Sequence, residues 1–211
     1  MAMHSPAELL TRVPVVPVLT IDRLADAEPL ARALVAGGLT VLEVTLRTEI
    51  APDAVKTLIA AVPAAVIGVG TITTEPEIRL ALASGARFLV TPGTPPGLAA
   101  VLRQSPVPVM PGCGTVSEAM ALAAHGFSLL KFFPAEAAGG IGFLKAIAAP
   151  LPTIRFCPTG GIDQRKAAAY LALPNVAAVG GSWVAPRDAV ARGDFGRITT
   201  LAAEAARLRP G

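Results

Sequence analysis

The sequence has little of what builds metal centres and disulfide frameworks. Its 211 residues include two cysteines and two histidines. No Cys-x-x-Cys motif or Cys/His cluster surrounds Cys113, Cys157, His4 or His125. This pattern favours neither a disulfide scaffold nor a zinc site. Cys113 has no histidine or basic partner nearby in sequence, so we expect a small buried thiol. We therefore expect a protein without a bound metal, in a reducing compartment such as the cytoplasm.

Charged residues are also scarce, at 16% of the chain against 53% hydrophobic residues, and the formal net charge is +3. The basic residues are scattered singly, and aromatic residues make up only 4%, so no nucleic-acid surface is indicated. The N-terminus lacks the pattern of a signal peptide, and the apolar runs are too short to span a bilayer. We expect a soluble cytoplasmic protein that binds a small anionic substrate.

What the chain has is an alternation of short β-branched runs with stretches of helical period that are rich in alanine and leucine. Nearly continuous apolar runs are typical of parallel strands covered by helices. Eight such pairs, without a break in composition, predict an α/β fold with a single (β/α)8 barrel domain over residues 1–211. The predicted strands are Val13–Leu19, Thr40–Leu46, Ala65–Gly70, Phe88–Thr91, Val107–Pro111, Ser128–Phe133, Thr153–Pro158 and Val176–Gly180.

An open doubly wound sheet is the structural alternative. No Gly-x-Gly-x-x-Gly motif follows the first predicted strand, so the pattern gives no sign of a dinucleotide site, and we expect no cofactor. Helix starts are predicted where a small polar residue or an early acid meets the free N–H groups of a first turn. These positions are Asp22, Thr74, Ser117 and Asp163.

Lys131 stands in the middle of an apolar predicted strand, whereas Lys56, Lys145 and Lys166 lie in predicted helices. Burial disfavours the charged form of a lysine. A neutral amine is the nucleophile that Schiff-base chemistry requires. The structural alternative is a lysine that leans out of the barrel mouth to pair with a carboxylate.

Glu43 interrupts the second predicted strand in the same way. Alternation places Val41, Glu43 and Thr45 on one face, and groups Lys131 with Phe133 on the sixth strand. Inward side chains of even-numbered strands share a layer of such a barrel, so Glu43 and Lys131 are expected to meet near its C-terminal mouth. The pair is either a buried ion pair with a structural role or an acid/base beside a nucleophile, and we favour the second interpretation.

Several further residues follow the predicted strands, where barrel enzymes carry their sites. Arg47 can hold a carboxylate with two hydrogen bonds, although an arginine at a strand end is often a surface ion pair. Thr71 offers a hydroxyl after the third strand, and Pro92 shapes the turn after the fourth. Glycine pairs, in which backbone N–H groups can approach a phosphate, end the seventh and eighth units; they lie in Thr159-Gly160-Gly161 and Gly180-Gly181-Ser182.

These segments together resemble one known family. The stretches are Glu43-Val44-Thr45-Leu46-Arg47-Thr48, Gly68-Val69-Gly70-Thr71, Val90-Thr91-Pro92-Gly93, Leu130-Lys131-Phe132-Phe133-Pro134-Ala135-Glu136 and Pro158-Thr159-Gly160-Gly161. They are similar to the bacterial 2-keto-3-deoxy-6-phosphogluconate (KDPG) aldolases over nearly the whole chain. The resemblance implies a homotrimeric, metal-free class I aldolase that cleaves KDPG to pyruvate and glyceraldehyde 3-phosphate. Many members also cleave 4-hydroxy-2-oxoglutarate to pyruvate and glyoxylate.

The resemblance also implies roles for individual residues. Lys131 matches the Schiff-base lysine and Glu43 the general acid/base. The matched substrate-binding positions are Arg47 and Thr71 at the pyruvyl carboxylate, Pro92 and Phe133 along the pocket, and Thr159, Gly160, Gly161, Gly181 and Ser182 at the phosphate. Two rival functions stay open at this point. A phosphosugar isomerase or epimerase would not need an inward lysine, and a non-catalytic phosphate-ester binding module would bind without forming an imine.

Overall fold

The computed structural model describes residues 13–208, so His4 lies outside the described range. Within this range there are nine strands and nine α-helices, and a 3₁₀ helix, Leu24–Asp26, precedes the first α-helix. The strands are β1 Val15–Leu19, β2 Val41–Thr45, β3 Val66–Gly70, β4 Leu89–Val90, β5 Val109–Met110, β6 Gly112–Cys113, β7 Leu129–Phe132, β8 Arg155–Pro158 and β9 Val179–Gly181. The helices are α1 Ala27–Ala36, α2 Ala51–Ala61, α3 Glu75–Ala83, α4 Pro96–Leu102, α5 Val116–Ala124, α6 Gly140–Ala148, α7 Gln164–Leu171, α8 Arg187–Ala191 and α9 Phe195–Ala206.

The strands form two curled sheets in which every pairing is parallel. One sheet has six strands in the order β5-β4-β3-β2-β1-β9, and the other has three in the order β6-β7-β8. The expected α/β class with a parallel sheet is therefore confirmed. The expectation of eight continuous strands is wrong in detail, because the structure has a six-stranded half-barrel and a small second sheet.

The predicted fifth strand, Val107–Pro111, is the clearest correction. It is divided into β5, which pairs with β4, and β6, which pairs with β7. The break falls at Pro111, which has no N–H to donate to a ladder. Its carbonyl accepts the Lys131 N–H at 2.9 Å, and the next N–H, of Gly112, donates to the Thr91 hydroxyl at 2.8 Å. The chain therefore changes sheets at this proline.

The predicted eighth strand, Val176–Gly180, is shorter in the structure and shifted toward its end. Between β8 and this segment there are only isolated bridges, Phe156 with Val176 and Thr159 with Gly180. The first bridge has two backbone hydrogen bonds, from Phe156 N to Asn175 O and from Ala177 N to Phe156 O, both 2.8 Å. The regular ladder of β9 is instead made with β1.

The buried apolar side chains form one core cluster that extends from Val13 to Ala205 and includes residues of both sheets. The helices cover the sheets, and α1 packs closely against α9, where a Cβ at Gly37 would overlap Ala202. No helix within residues 13–208 is long and apolar enough to cross a membrane. Because all pairings are parallel, the candidate residues after β2, β3, β4, β7, β8 and β9 share one edge of the sheets.

The helix starts are partly as predicted. Thr74 precedes α3, and Asp163 caps α7 by accepting the Lys166 N–H at 3.0 Å. Ser117 is not a cap, because Thr115 takes that place before α5 and accepts the Glu118 N–H at 3.3 Å. Asp22 is followed by the 3₁₀ helix, and α1 begins at Ala27.

Glu77 in the first turn of α3 fixes the loop that follows β3. Its carboxylate accepts hydrogen bonds from Thr73 N at 2.7 Å, Thr73 Oγ1 at 2.8 Å and Thr74 N at 2.9 Å. Partial burial opposes ionisation of this carboxyl, but the four contributions from Thr73 and Thr74 outweigh it and lower the pKa of Glu77. The ionised side chain thus stabilises the folded loop.

We expect Glu77→Gln to lower the free energy of unfolding by about 1 kcal/mol at pH 7, as loss of a helix cap does. The pKa of Glu77 is lower in the folded state than in the unfolded chain, where it is about 4.3. The stabilisation by ionised Glu77 is therefore complete above the unfolded pKa and is lost as the pH falls through the folded pKa. Urea unfolding at pH 7 and pH 3 should therefore show a difference that shrinks in acid. Glu28→Gln, which removes an exposed partner of Arg32, is the control. An equal effect of both substitutions at both pH values would contradict this expectation.

Candidate active site

Lys131 on β7 and Glu43 on β2 are in contact inside the fold. Lys131 Nζ lies 3.1 Å from Glu43 Oε1. Lys131 is 5% exposed and Glu43 is 1% exposed, so neither side chain reaches out to the surface. Strand alternation predicted this contact. It joins a strand of the six-stranded sheet to a strand of the smaller sheet.

Two glycines allow close packing around this pair, and sequence reasoning assigned neither of them to the site. Gly70 ends β3, where a Cβ would overlap the Glu43 carboxylate. Gly112 is in register with Lys131, and a Cβ there would overlap the backbone of Pro92 and Thr91. The signal for Gly70 was present in the sequence, since Gly68 and Gly70 occupy alternate positions of an apolar strand and leave one face without side chains.

Phe133 connects the lysine with the glycine loop that follows β8. Its ring centroid lies 5.5 Å from Lys131 Nζ, within the range of a cation–π contact when the amine is charged. A Cβ at Gly160 would lie 3.2 Å from a carbon of the same ring. The half-buried ring is therefore close to both the Lys131 amine and the loop.

Thr71 follows β3 in an unusual backbone conformation. Its φ of 65° is the only positive φ of a non-glycine residue in the described range. A β-branched residue in the left-handed region is strained by about 1 to 3 kcal/mol, and such strain concentrates at functional sites. Pro92, half-buried after β4, packs on Gly112 beside the Lys131 strand. Both residues thus border the strands that hold the Lys131–Glu43 pair.

Arg47 and Ser182 line a common cavity of about 570 Å³ at the carboxyl ends of β1 and β9. Its other walls include Thr20, Trp183 and the ion pair between Asp22 and Arg187, in which Nη2 and Oδ2 are 2.7 Å apart. Lys131 and Glu43 are not among the residues that line it. The structure thus brings Arg47 and Ser182 to one cavity, and Thr20, which the sequence analysis did not single out, lies in its wall.

The glycine loop after β8 contains two residues in the left-handed region of backbone conformation. Gly160 and Gly161 have φ values of 104° and 77°, which side-chain-bearing residues rarely adopt. Thr159 is buried, and its side chain lies against Gly180, where a Cβ would overlap it. Gly181 is covered by the Trp183 ring in the same way. The loops that follow β8 and β9 are therefore packed together through their glycines.

The two cysteines do not offer a nucleophile. Burial, and to a smaller degree the charge of Glu118, raises the pKa of the Cys113 thiol to about 12. Burial, followed by the charge of Glu43, raises the pKa of the Cys157 thiol to about 12. The expectation that Cys113 is a buried free thiol is confirmed. Within residues 13–208, no group of three or more His, Cys, Asp or Glu residues is arranged to hold a metal ion.

Comparison with known proteins gives the family. The model of the KDPG and KHG aldolase family matches residues 7–201, where KHG stands for 4-hydroxy-2-oxoglutarate. The 2-dehydro-3-deoxy-phosphogluconate aldolase of Dickeya dadantii is 48% identical over 201 residues, which cover 95% of this chain and 94% of that protein. The KHG/KDPG aldolase of Escherichia coli K12 is 47% identical with the same coverage.

A solved structure agrees with these relatives. The KDPG aldolase of Legionella pneumophila, with pyruvate captured as a covalent carbinolamine intermediate, superposes with a TM-score of 0.94 at 45% identity, covering 96% of this chain and 98% of that one. The expected family resemblance is confirmed, and the chain belongs to the KDPG and KHG aldolase family.

Proposed function

We propose that this protein is a class I aldolase that reversibly cleaves KDPG to pyruvate and glyceraldehyde 3-phosphate, and that also cleaves 4-hydroxy-2-oxoglutarate to pyruvate and glyoxylate. The observation that carries the proposal is the buried contact of 3.1 Å between Lys131 Nζ and Glu43 Oε1. Relatives that are nearly half identical are named for both substrates. The enzyme is a lyase.

In the proposed mechanism, Lys131 first passes a proton to Glu43, and the neutral amine then attacks the ketone carbon of the substrate. A proton moves from the nitrogen to the ketone oxygen, and a carbinolamine forms. Glu43 gives a proton to the departing hydroxyl, which leaves as water, and a protonated imine remains. The carboxylate of Glu43 then takes the proton of the aldol hydroxyl while the C–C bond breaks. The electron pair of that bond flows into the imine, the aldehyde departs and an enamine is left. Protonation of the enamine and hydrolysis release pyruvate and restore the amine.

The remaining candidate residues are assigned to substrate binding. Arg47 and Thr71 bind the carboxylate of the pyruvyl part, and Pro92 and Phe133 form the wall beside Lys131. The loops with Thr159, Gly160 and Gly161 and with Gly181 and Ser182 bind the phosphate. The left-handed glycines support the last assignment, because they allow backbone N–H groups to approach an anion closely. No cofactor enters this mechanism.

We also propose that the two sheets belong to one closed (β/α)8 barrel and that residues 1–211 form one domain. The bridges between β8 and the segment before β9, and the single core cluster, support this arrangement. A cytoplasmic location is proposed because Cys113 and Cys157 are free thiols, which a reducing compartment maintains.

The first test is reduction of the imine with borohydride. With pyruvate and borohydride, the protein should gain one reduced pyruvyl adduct, located at Lys131 by peptide mass spectrometry. Lys131→Met should abolish both the adduct and the cleavage of KDPG, whereas the control Lys145→Met, at an exposed helical lysine, should leave both intact. Isomerisation or epimerisation of a phosphosugar that persists in Lys131→Met would favour an isomerase or epimerase. Binding of the keto acid without an adduct in the wild type would favour a non-catalytic module.

A second test uses the space that Gly70 leaves for Glu43. Gly70→Ala should push the carboxylate away from Lys131 and reproduce the defect of Glu43→Gln, a fall in kcat of about 10²- to 10⁴-fold, as expected for loss of a general acid/base. Single-turnover cleavage of KDPG measures this, and circular dichroism checks the fold. The control is Gly142→Ala, where a Cβ would contact nothing within 4 Å. Full activity in Gly70→Ala would argue against the role of Glu43.

The homotrimer implied by the family resemblance is a third point to test. Val116 and Met120 lie one turn apart on α5 and are both exposed, at 37% and 57%. Apolar side chains of this kind favour an interface between subunits. Sedimentation equilibrium should give three chain masses for the wild type and a smaller mass for Met120→Glu. Leu24→Glu, at another exposed apolar residue, is the control. A monomeric wild type would refute the trimer.

A further inference from the structure

Glu136 takes no part in the mechanism above, yet it connects three elements around the glycine loop. It follows β7 and the Lys131–Phe133 segment. Its Oε2 lies 2.6 Å from Lys166 Nζ, and its Oε1 accepts a hydrogen bond from the Tyr170 hydroxyl. Lys166 and Tyr170 are one turn apart on α7, the helix that begins directly after the loop. The carboxylate thus joins the nucleophile-bearing strand segment to the helix that follows the loop.

The same group of residues also orients the peptide units of the loop. Ala135 N donates to Thr159 O at 2.8 Å, and Glu136 N donates to Gly160 O at 3.1 Å. Lys166 Nζ donates to Gly161 O at 3.1 Å. Three successive carbonyls are therefore held on the side of Glu136 and Lys166.

The carbonyl orientation fixes the direction of the loop N–H groups. In a trans peptide the N–H points away from the C=O of the same unit. The N–H groups of Gly161 and Ile162 therefore point away from Glu136, and neither donates to another atom of residues 13–208. Two adjacent free N–H groups in a glycine loop before a helix make an anion-binding concavity.

Glu136 holds this orientation through close packing as well as charge. A Cβ at Gly161 would lie 2.8 Å from Glu136 Cγ, so the side chain supports the loop directly. The hydrogen bond from Lys166, followed by that from Tyr170, lowers the pKa of Glu136, and burial, followed by the bond to Glu136, raises the pKa of Tyr170. At neutral pH the cluster is therefore an ionised carboxylate between a cation and a neutral phenol.

We propose that Glu136 is a positioning residue for the substrate phosphate, which holds the N–H groups of Gly161 and Ile162 in place through Lys166 and Tyr170. It does not touch the reacting atoms. The inference rests on the proposed function, because it takes the glycine loop to be the phosphate site. It makes Glu136 a determinant of the preference for a phosphorylated over an unphosphorylated keto acid.

The test compares two substrates that differ at the far end. Glu136→Gln should raise the KM for KDPG about tenfold, the effect of roughly one lost hydrogen bond to an anion. Its kcat for KDPG should change little, because binding common to the ground state and the transition state acts on KM. The kcat and KM for 4-hydroxy-2-oxoglutarate, which has no phosphate, should stay within about twofold.

Inorganic phosphate gives a readout that does not depend on the phosphorylated substrate. Its inhibition constant against 4-hydroxy-2-oxoglutarate cleavage should rise about tenfold in Glu136→Gln. Tyr170→Phe, which removes only the phenol hydroxyl, should show the same selective effect at about threefold and serves if Glu136→Gln does not fold. Glu204→Gln is the matched control. Glu204 lies on α9 and accepts a hydrogen bond from Gln164, which is on α7 like Lys166 and Tyr170.

The outcomes separate this inference from the proposed function. A selective loss for KDPG and for phosphate supports the positioning role. An equal rise in KM for both substrates, or a fall in kcat for both, would indicate that Glu136 has only a general structural role and would overturn the inference. An unchanged KM for KDPG would overturn it as well. A wild-type protein that cleaves neither substrate would overturn the proposed function together with it.

Discussion

The contact between Lys131 and Glu43 is the constraint on which the rest of the structure depends. An ionisable pair inside an apolar core is tolerated only if both groups are satisfied, since an unpaired buried charge is destabilising by several kcal/mol. The two residues lie on different sheets, so their bond requires that β2 and β7 face one another at a fixed height. Gly70 provides the space for the carboxylate. The register of the inner strands and the chemistry of the site are therefore set together.

The candidate site residues divide into a buried pair and an exposed group. Lys131 and Glu43 are enclosed, whereas Arg47 and Ser182 lie on the open side, in a cavity that the pair does not line. Phe133 is close to both the amine and the glycine loop. Under the proposed function, the buried pair carries out the reaction while the loops at the sheet edge contact the far ends of substrates of different length. It fits a family whose members are named for a phosphorylated and an unphosphorylated keto acid.

Alternation within strands was enough to predict that Lys131 and Glu43 share the interior, because a period of two admits only two faces. The parallel sheet and the glycine loops followed from equally local patterns. The division of the fifth strand could have been read from Pro111, which cannot donate to a ladder. The left-handed conformation of Thr71 could not be predicted from the sequence, since no local rule places a β-branched residue in that region. The cluster of Glu136, Lys166 and Tyr170 could not be predicted either, because it joins residues about thirty positions apart through the packing of α7.

Cys157 lies beside the proposed nucleophile, Lys131, and is a second group that could react with the ketone. Cys157 is in register with Lys131 on the neighbouring strand, so both side chains leave the sheet on the same face. A thiolate there would compete for the ketone, since the thiolate is the reactive form of cysteine. Burial and the nearby Glu43 charge raise the pKa of Cys157 to about 12, which keeps it a neutral, space-filling thiol. In the proposed mechanism, the Glu43 carboxylate therefore has a second effect: its charge adds to burial in disfavouring ionisation of the Cys157 thiol.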